Sequence, residues 1–137
     1  MTIDESNIPL GAGIIIIKEF SQRWKVLALV CYDGSFDIPK GGLDKDETPL
    51  MAALRETEEE ACITQIDFKW GMQQFVNSKL TCYLATTDQA PLIKKNPHTN
   101  IFEHTATLWL SWEDMINGTK SYLKPCIIWA QGVVEGV

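Results

Sequence analysis

From Gly41 to Ile63 the chain reads GGLDKDETPLMAALRETEEEACI, and this stretch decides the fold. Its opening, with two glycines, two aspartates and a lysine ahead of Glu47, has the composition of a loop. Thr48 and Pro49 then begin a helix: threonine supplies an N-cap oxygen, and proline suits the first helical position. The helix is predicted over residues 48–61. Leu50, Ala53, Leu54, Thr57 and Ala61 fall within an arc of about 100° at helical period, which predicts a core-facing stripe. Glu56, Glu59 and Glu60, spaced i, i+3 and i+4, project within about 100° of one another.

Three carboxylates on one patch repel, at a few tenths of a kcal/mol per neighbouring pair. Arg55, four residues before Glu59, offsets part of this. A hard divalent cation offsets far more, because Mg2+ and its like prefer carboxylate and water oxygens. A solvated acidic face is the alternative for three glutamates taken alone. Asp44, Asp46 and Glu47, one turn ahead, add further oxygens, and Gly41 and Gly42 let a backbone come close to a ligand. An EF-hand reading of Asp44, Asp46 and Glu47 lacks that motif's glycine and its distal glutamate.

Outward from this stretch, residues 11–17 and 25–32 read as strands, with Ser21, Gln22 and Arg23 in the turn and Gly34 closing the second. The run Ile14–Ile17 is β-branched and too short to span a bilayer. Residues 36–42 form a short extended piece entering the loop, since Pro39 biases Ile38 to β geometry. Further strands are predicted near 65–76, 79–86 and 105–110, and helices over 111–117 and 121–131. Ser111 caps the first of these helices, and Pro125 weighs against the second. Mixed strands with helices between and after them give an α/β or α+β sandwich.

The length of 137 residues predicts one compact domain over 1–137. Hydrophobic residues at 45% and charged residues at 22% lie in the globular range, against disorder. The first ten residues lack the pattern of a secretory signal, so the expected location is cytoplasmic, with no membrane partner. Cys31, Cys62, Cys82 and Cys126 form no CxxC pair and lie in or beside apolar segments, which predicts free thiols. A net charge of −6 disfavours general nucleic-acid binding but allows a phosphate substrate, because a bound cation reverses the local field.

The spacing of Gly41, Glu47, Arg55, Glu56, Glu59 and Glu60 resembles the Nudix signature at the six positions most tied to its chemistry. The resemblance implies an α/β/α sandwich with a mixed sheet and a pyrophosphohydrolase using Mg2+ or Mn2+. It implies that Glu56, Glu59 and Glu60 hold the metal, with the Gly41 carbonyl as a further ligand. Arg55 orients the glutamates, and Glu47 supports them near the metal or its waters. Two positions depart from the pattern. Thr57 replaces an aliphatic residue and needs a partner for its hydroxyl. Cys62 replaces glycine, at a cost of roughly 1 to 2 kcal/mol if φ is positive there.

Many members of the family add a carboxylate from a later segment, and Glu103 is the candidate. His104 beside it is read as a structural histidine or as an aid to proton transfer. Lys40 before the glycines, Lys79, and Tyr83, read as a base-stacking ring or as an ordinary core tyrosine, are the candidate substrate contacts. Lys79 at the start of the strand containing Tyr83, with Glu103 and His104 before a strand ending in Trp109, resembles the diadenosine tetraphosphate hydrolases. Most of the five tryptophans are expected in the core. Lys94 and Lys95, ahead of Asn96 and His98, form a polar loop, read as solvent-facing or as lying over substrate phosphates. The leading expectation is hydrolysis of a phosphoanhydride bond in a dinucleoside polyphosphate, a small nucleotide or polyphosphate substrate, by a monomer or homodimer. The rivals are an RNA 5′-end pyrophosphohydrolase, an inositol pyrophosphate hydrolase, a nucleotide-sugar hydrolase and a catalytically silent nucleotide-binding module. The last usually loses the box glutamates, and here all are present.

Overall fold

The computed structural model describes residues 10–136. Its strands are β1 (Gly11–Phe20), β2 (Arg23–Val30), β3 (Phe36–Asp37), β4 (Lys40–Gly42), β5 (Gln74–Asn77), β6 (Leu80–Thr86) and β7 (Ala106–Leu110). The helices are α1 (Pro49–Ala61), α2 (Trp112–Gly118) and α3 (Lys124–Glu135), the last entered through a 3-10 turn at Ser121–Leu123. All strands join one mixed sheet: β6 runs parallel to β1, and the other pairings are antiparallel.

The isoleucine run shows how the layers form. Ile14 and Ile16 face one side, with Ala52, Ala53, Ala61 and Tyr83 under α1. Ile15 and Ile17 face the other, with Met115, Cys126 and Ile127 under α2 and α3. A strand covered on both faces is apolar at every position, which is why the run does not alternate. The result is the α/β/α sandwich.

The hairpin of β1 and β2 places the site. It turns on two residues, Ser21 and Gln22, both with positive φ, so Arg23 already pairs with Phe20. The two strands stay together only from Ile17 opposite Val26 to the turn, and then part. The fork is filled by β3, which pairs with Leu29 and Val30, and by β4, which pairs with Gly11–Gly13. Gly13 permits this insertion: a Cβ there would stand 2.5 Å from Pro39 O. The segment Pro39–Gly42 is thereby wedged between two central strands, at the foot of α1.

α1 begins as the sequence predicts. Thr48 Oγ1 accepts the Met51 N–H at 3.2 Å, and Pro49 stands in the first turn. The helix ends at Cys62, left-handed at φ 57° and ψ 31°, whose N–H donates to Glu58 O. Thr57 satisfies its hydroxyl by donating to Ala53 O at 2.7 Å. The buried arc is rotated from the predicted stripe: Leu54 is 37% exposed and Leu50 half-buried, while Ala52 and Glu60 are buried. The alanines let the helix lie close to the sheet, and the rotation turns Glu60 inward.

Two other predicted elements differ. Instead of a strand over 65–76, Asp67 makes a single bridge to Thr86, and β5 begins only at Gln74. Gly71, at φ +86°, closes a turn onto Phe68 O, and Trp70 packs edge-on against Trp24. The last helix runs Lys124–Glu135, with Pro125 in its first turn, where proline starts helices rather than interrupting them. Ser111 caps α2 by accepting the Asp114 N–H, as predicted. The four cysteines are free.

Candidate metal centre

Arg55 is the hub of the site. Its Nε and Nη2 form a two-pronged ion pair with Glu47, at 2.9 Å each. Nη1 donates to Glu56 Oε1 at 2.9 Å and to Glu59 Oε2 at 3.2 Å. Nη2 also donates to Gly42 O at 2.8 Å, tying the helix to β4. Asp44 Oδ2 lies 3.4 Å from Nε. The planar guanidinium serves this geometry where an ammonium would not, because several donors point in fixed directions. Glu47 also accepts the Asp44 N–H, and its bonds to Arg55 and this amide hold its carboxyl down to about 2.

One cation therefore faces Glu47, Glu56 and Glu59, and Glu60 lies beyond its reach. Glu60 is buried and, among the described residues, accepts only the Lys40 N–H, at 3.4 Å from each oxygen. Burial, with the charge of Glu56 added, pushes its carboxyl up to about 9. Burial also raises Glu56, and the charges of Glu59 and Glu103 add to it against the opposing pull of Arg55. Gly41 lies directly under Glu56: a Cβ there would stand 2.2 Å from the carboxylate. Only glycine lets the carboxylate and β4 come this close.

Glu103 enters from the segment before β7. One ligand atom each from Glu60, Glu103 and His104 lies within 4.8 Å of the others. Asn96 Nδ2 donates to Glu103 Oε1 at 2.8 Å. His104 is buried, with Nε2 3.6 Å from Asp37 Oδ2. The same oxygen takes Lys40 Nζ at 3.2 Å, and Asp37 Oδ1 accepts the Ile38 N–H at 2.8 Å. Burial alone would raise Asp37; the His104 hydrogen bond and the Lys40 charge outweigh it and hold the carboxyl below its usual value. Burial would lower Lys40, and Asp37 and Tyr122 together more than reverse this, so the ammonium stays charged. Cys31 also borders Asp37 and His104, but Lys40 already supplies the cation there.

A cleft of about 340 Å³ adjoins β4, walled by Leu10, Gly11, Lys40, Lys79, Leu80 and Tyr122 among others. The Lys40 ammonium sits 5.7 Å from the Tyr122 ring centre. Lys79 stands in the two-residue turn between β5 and β6 rather than at the start of β6, and it is exposed on the cleft wall. Of the two readings of Tyr83, the structure shows the core tyrosine and not the base-stacking ring. It is 6% exposed, packed in the core under α1 and away from the cleft wall, so its face is closed to a base. The aromatic residue on the cleft is Tyr122, 44% exposed.

The structure thus brings Gly41, Glu47, Arg55, Glu56, Glu59, Glu60 and Glu103 together, with Lys40 and Lys79 alongside. Sequence reading gave no site role to Asp37 or Tyr122, and placed Asn96 only within a polar loop. Only Asp37 had a local signal, three residues before Lys40 in the same extended segment. The donor set suits a hard divalent ion: carboxylate oxygens converge, one of them buried without a cation of its own.

A family model described as the NUDIX domain matches residues 8–129. An RNA pyrophosphohydrolase of Pelagibacter ubique is 32% identical over 69 residues, covering 49% of this chain and 44% of that protein. One from Brucella ovis is 28% identical over 91 residues, covering 60% and 51%. The chain spans about half the length of these curated relatives. In a crystal structure of a C. elegans Ap4A hydrolase binary complex, 99% of that chain aligns with 93% of this one, at TM-score 0.74 and 23% identity. That likeness is one of fold.

Proposed function

The chain belongs to the Nudix family, and from that premise we propose that it is a divalent-metal-dependent hydrolase cutting a phosphoanhydride bond in a dinucleoside polyphosphate of the diadenosine tetraphosphate type. The observation that carries this reading is the convergence of Glu60 and Glu103, with Glu56 set against Gly41, at the edge of a cleft bearing two lysines and a tyrosine.

When bound, a Mg2+ or Mn2+ ion polarises a phosphoryl oxygen and lowers the pKa of a coordinated water. Glu56, Glu59, Glu60 and Glu103, with the Gly41 carbonyl, are the residues that would hold it. Arg55 keeps the helix carboxylates oriented from behind, and Glu47 keeps Arg55 oriented. Lys40 and Lys79 offer cations to the polyphosphate, and Tyr122 offers a ring to a base. The cleft's apolar wall, from Leu10 and Leu80, suits a nucleoside better than a bare polyphosphate.

A second reading is an RNA 5′-end pyrophosphohydrolase, favoured by what the curated relatives are named for. Both substrates present a nucleoside joined through its 5′ oxygen to a polyphosphate. A panel with Mg2+ separates them. Wild type is expected to release ATP from diadenosine tetraphosphate, and Glu59→Gln to lose roughly 10²-fold or more in rate while remaining folded. Equal turnover by the two proteins would refute the metal role of Glu59. Release of pyrophosphate from triphosphorylated RNA, with the dinucleotide left intact, moves the assignment to the second reading.

A further inference from the structure

Glu103 differs from Glu56, Glu59 and Glu60, the other carboxylates that would hold the metal, in having no helix to hold it. It lies on an exposed segment ahead of β7, and Arg55 makes no bond to it. A loop carboxylate with free rotation would lose entropy on joining a cation. Something in the loop has to fix it in advance, and the hydrogen bonds converge on Asn96.

We propose that Asn96 is the positioning residue that presents Glu103 to the metal centre, an inference that rests on the metal-dependent reading above. Its side-chain amide works in two directions. Nδ2 donates to Glu103 Oε1 at 2.8 Å. Oδ1 accepts the N–H groups of His98 and Thr99, at 2.8 and 3.3 Å, which folds the chain around it. Its backbone closes the same loop: Asn96 N–H donates to Ile101 O, and Asn96 O accepts the Asn100 N–H, both at 2.8 Å. The loop and the carboxylate are thus organised from one residue, seven positions upstream of Glu103. The donor also fixes how the carboxylate faces. With Oε1 held by the amide, Glu103 keeps lone pairs for the space shared with Glu60 and His104. Partners of this kind set ligand orientation, and their loss commonly costs ten- to a hundredfold in metal affinity.

Asparagine is the side chain that does both tasks, since a carboxylate can only accept and an ammonium can only donate. Asn96→Asp therefore separates them. Aspartate keeps the acceptor that folds the loop, and it replaces the donor with a negative charge facing Glu103. The test measures free Mn2+ by electron paramagnetic resonance during titration of wild type, N96D, E103Q and N96D/E103Q, with thermal melts of each. The expected result is Mn2+ binding weakened about tenfold in N96D, with an unchanged melting temperature. In the E103Q background the same substitution should change binding less than about twofold, because its effect passes through Glu103. Wild-type affinity in N96D, or an equal loss in both backgrounds, overturns the positioning role and leaves the metal centre standing. Failure of wild type itself to bind Mn2+ removes the metal reading, and this inference with it. Asn96→Ala, which loses both tasks without adding a charge, should bind Mn2+ more weakly than wild type; wild-type affinity in that variant would contradict the proposed donor.

Discussion

At the scale of single residues, the sequence was most legible where chemistry restricts the choice of side chain. Arg55 and Glu59 are four positions apart on one helix, so spacing alone brings them together. Thr57 and Cys62, the two departures from the family pattern, also behave as residue physics demands. The threonine hydroxyl finds a carbonyl one turn back, and the cysteine takes the left-handed conformation that glycine usually fills. Cys62→Gly should therefore stabilise the protein. Relief of a left-handed β-carbon is worth about 1–2 kcal/mol, and the added backbone entropy of glycine returns about 0.5–1. A net gain of roughly 0.5–1 kcal/mol is expected as a higher urea midpoint with an unchanged slope, and with the hydrolytic rate unaltered. A lower midpoint would mean that the Cys62 side chain contributes packing that outweighs its backbone strain. Tyr83 shows the limit of reading by residue type: a tyrosine in a strand serves a core or a cleft equally well, and only the side of the sheet it faces decides.

At the scale of elements, helix boundaries read well and loop contacts did not. Caps and prolines act within four residues, so Thr48, Pro49 and Ser111 announced α1 and α2. The contacts that complete the site span far more chain. Lys40 N–H reaches Glu60 across 20 residues, and Asn96 meets Glu103 only after the loop has folded. No periodicity carries that information. The approach of β4 to α1 is a contact of this type, and it can be tested without touching an acidic group. Gly41 has ordinary negative φ and tolerates alanine in its backbone, but the new Cβ would occupy the space of the Glu56 carboxylate, 2.2 Å away. Gly41→Ala should lower the hydrolytic rate on the order of 10²-fold, as displacements near 1 Å at a reacting centre do. Its melting temperature should stay within about 2 °C, because the displaced group is the end of a half-buried side chain rather than the core. A fully active variant would show that Glu56 has room to move without consequence. An unfolded one would show that β4 cannot shift.

For the whole molecule, the proposed metal centre would be a stability cost that a bound cation relieves, and pH exposes it. Glu60 has its folded pKa raised to about 9, above the unfolded value. The metal-free protein therefore binds a proton there that the unfolded chain has released. The stability Glu60 contributes is complete below the unfolded pKa, near 4.5, and is lost as pH rises towards 9. Glu47 runs the other way. Its folded pKa is lowered to about 2, so its contribution is present above about 4.5 and is lost as pH falls towards 2. Asp37, also held low, acts in the same sense as Glu47. From these groups the metal-free protein should be most stable near pH 5 and should weaken on both sides. Mn2+ or Mg2+ should flatten the alkaline side only, because binding to the native state offsets the cost of the ionised cluster there. Glu60→Gln should reproduce that flattening without metal, melting on the order of 5 °C above wild type at pH 8 in EDTA and close to it at pH 5. Melts across pH, with EDTA and with 5–10 mM Mg2+ (an excess of roughly millimolar order, enough to saturate a weak site), decide the matter. A wild-type protein as stable at pH 8 as at pH 5 in EDTA would mean that Glu60 already has a counter-charge in the folded chain. The carboxylates would then have no need of a cation, and the proposed chemistry would lose its physical basis.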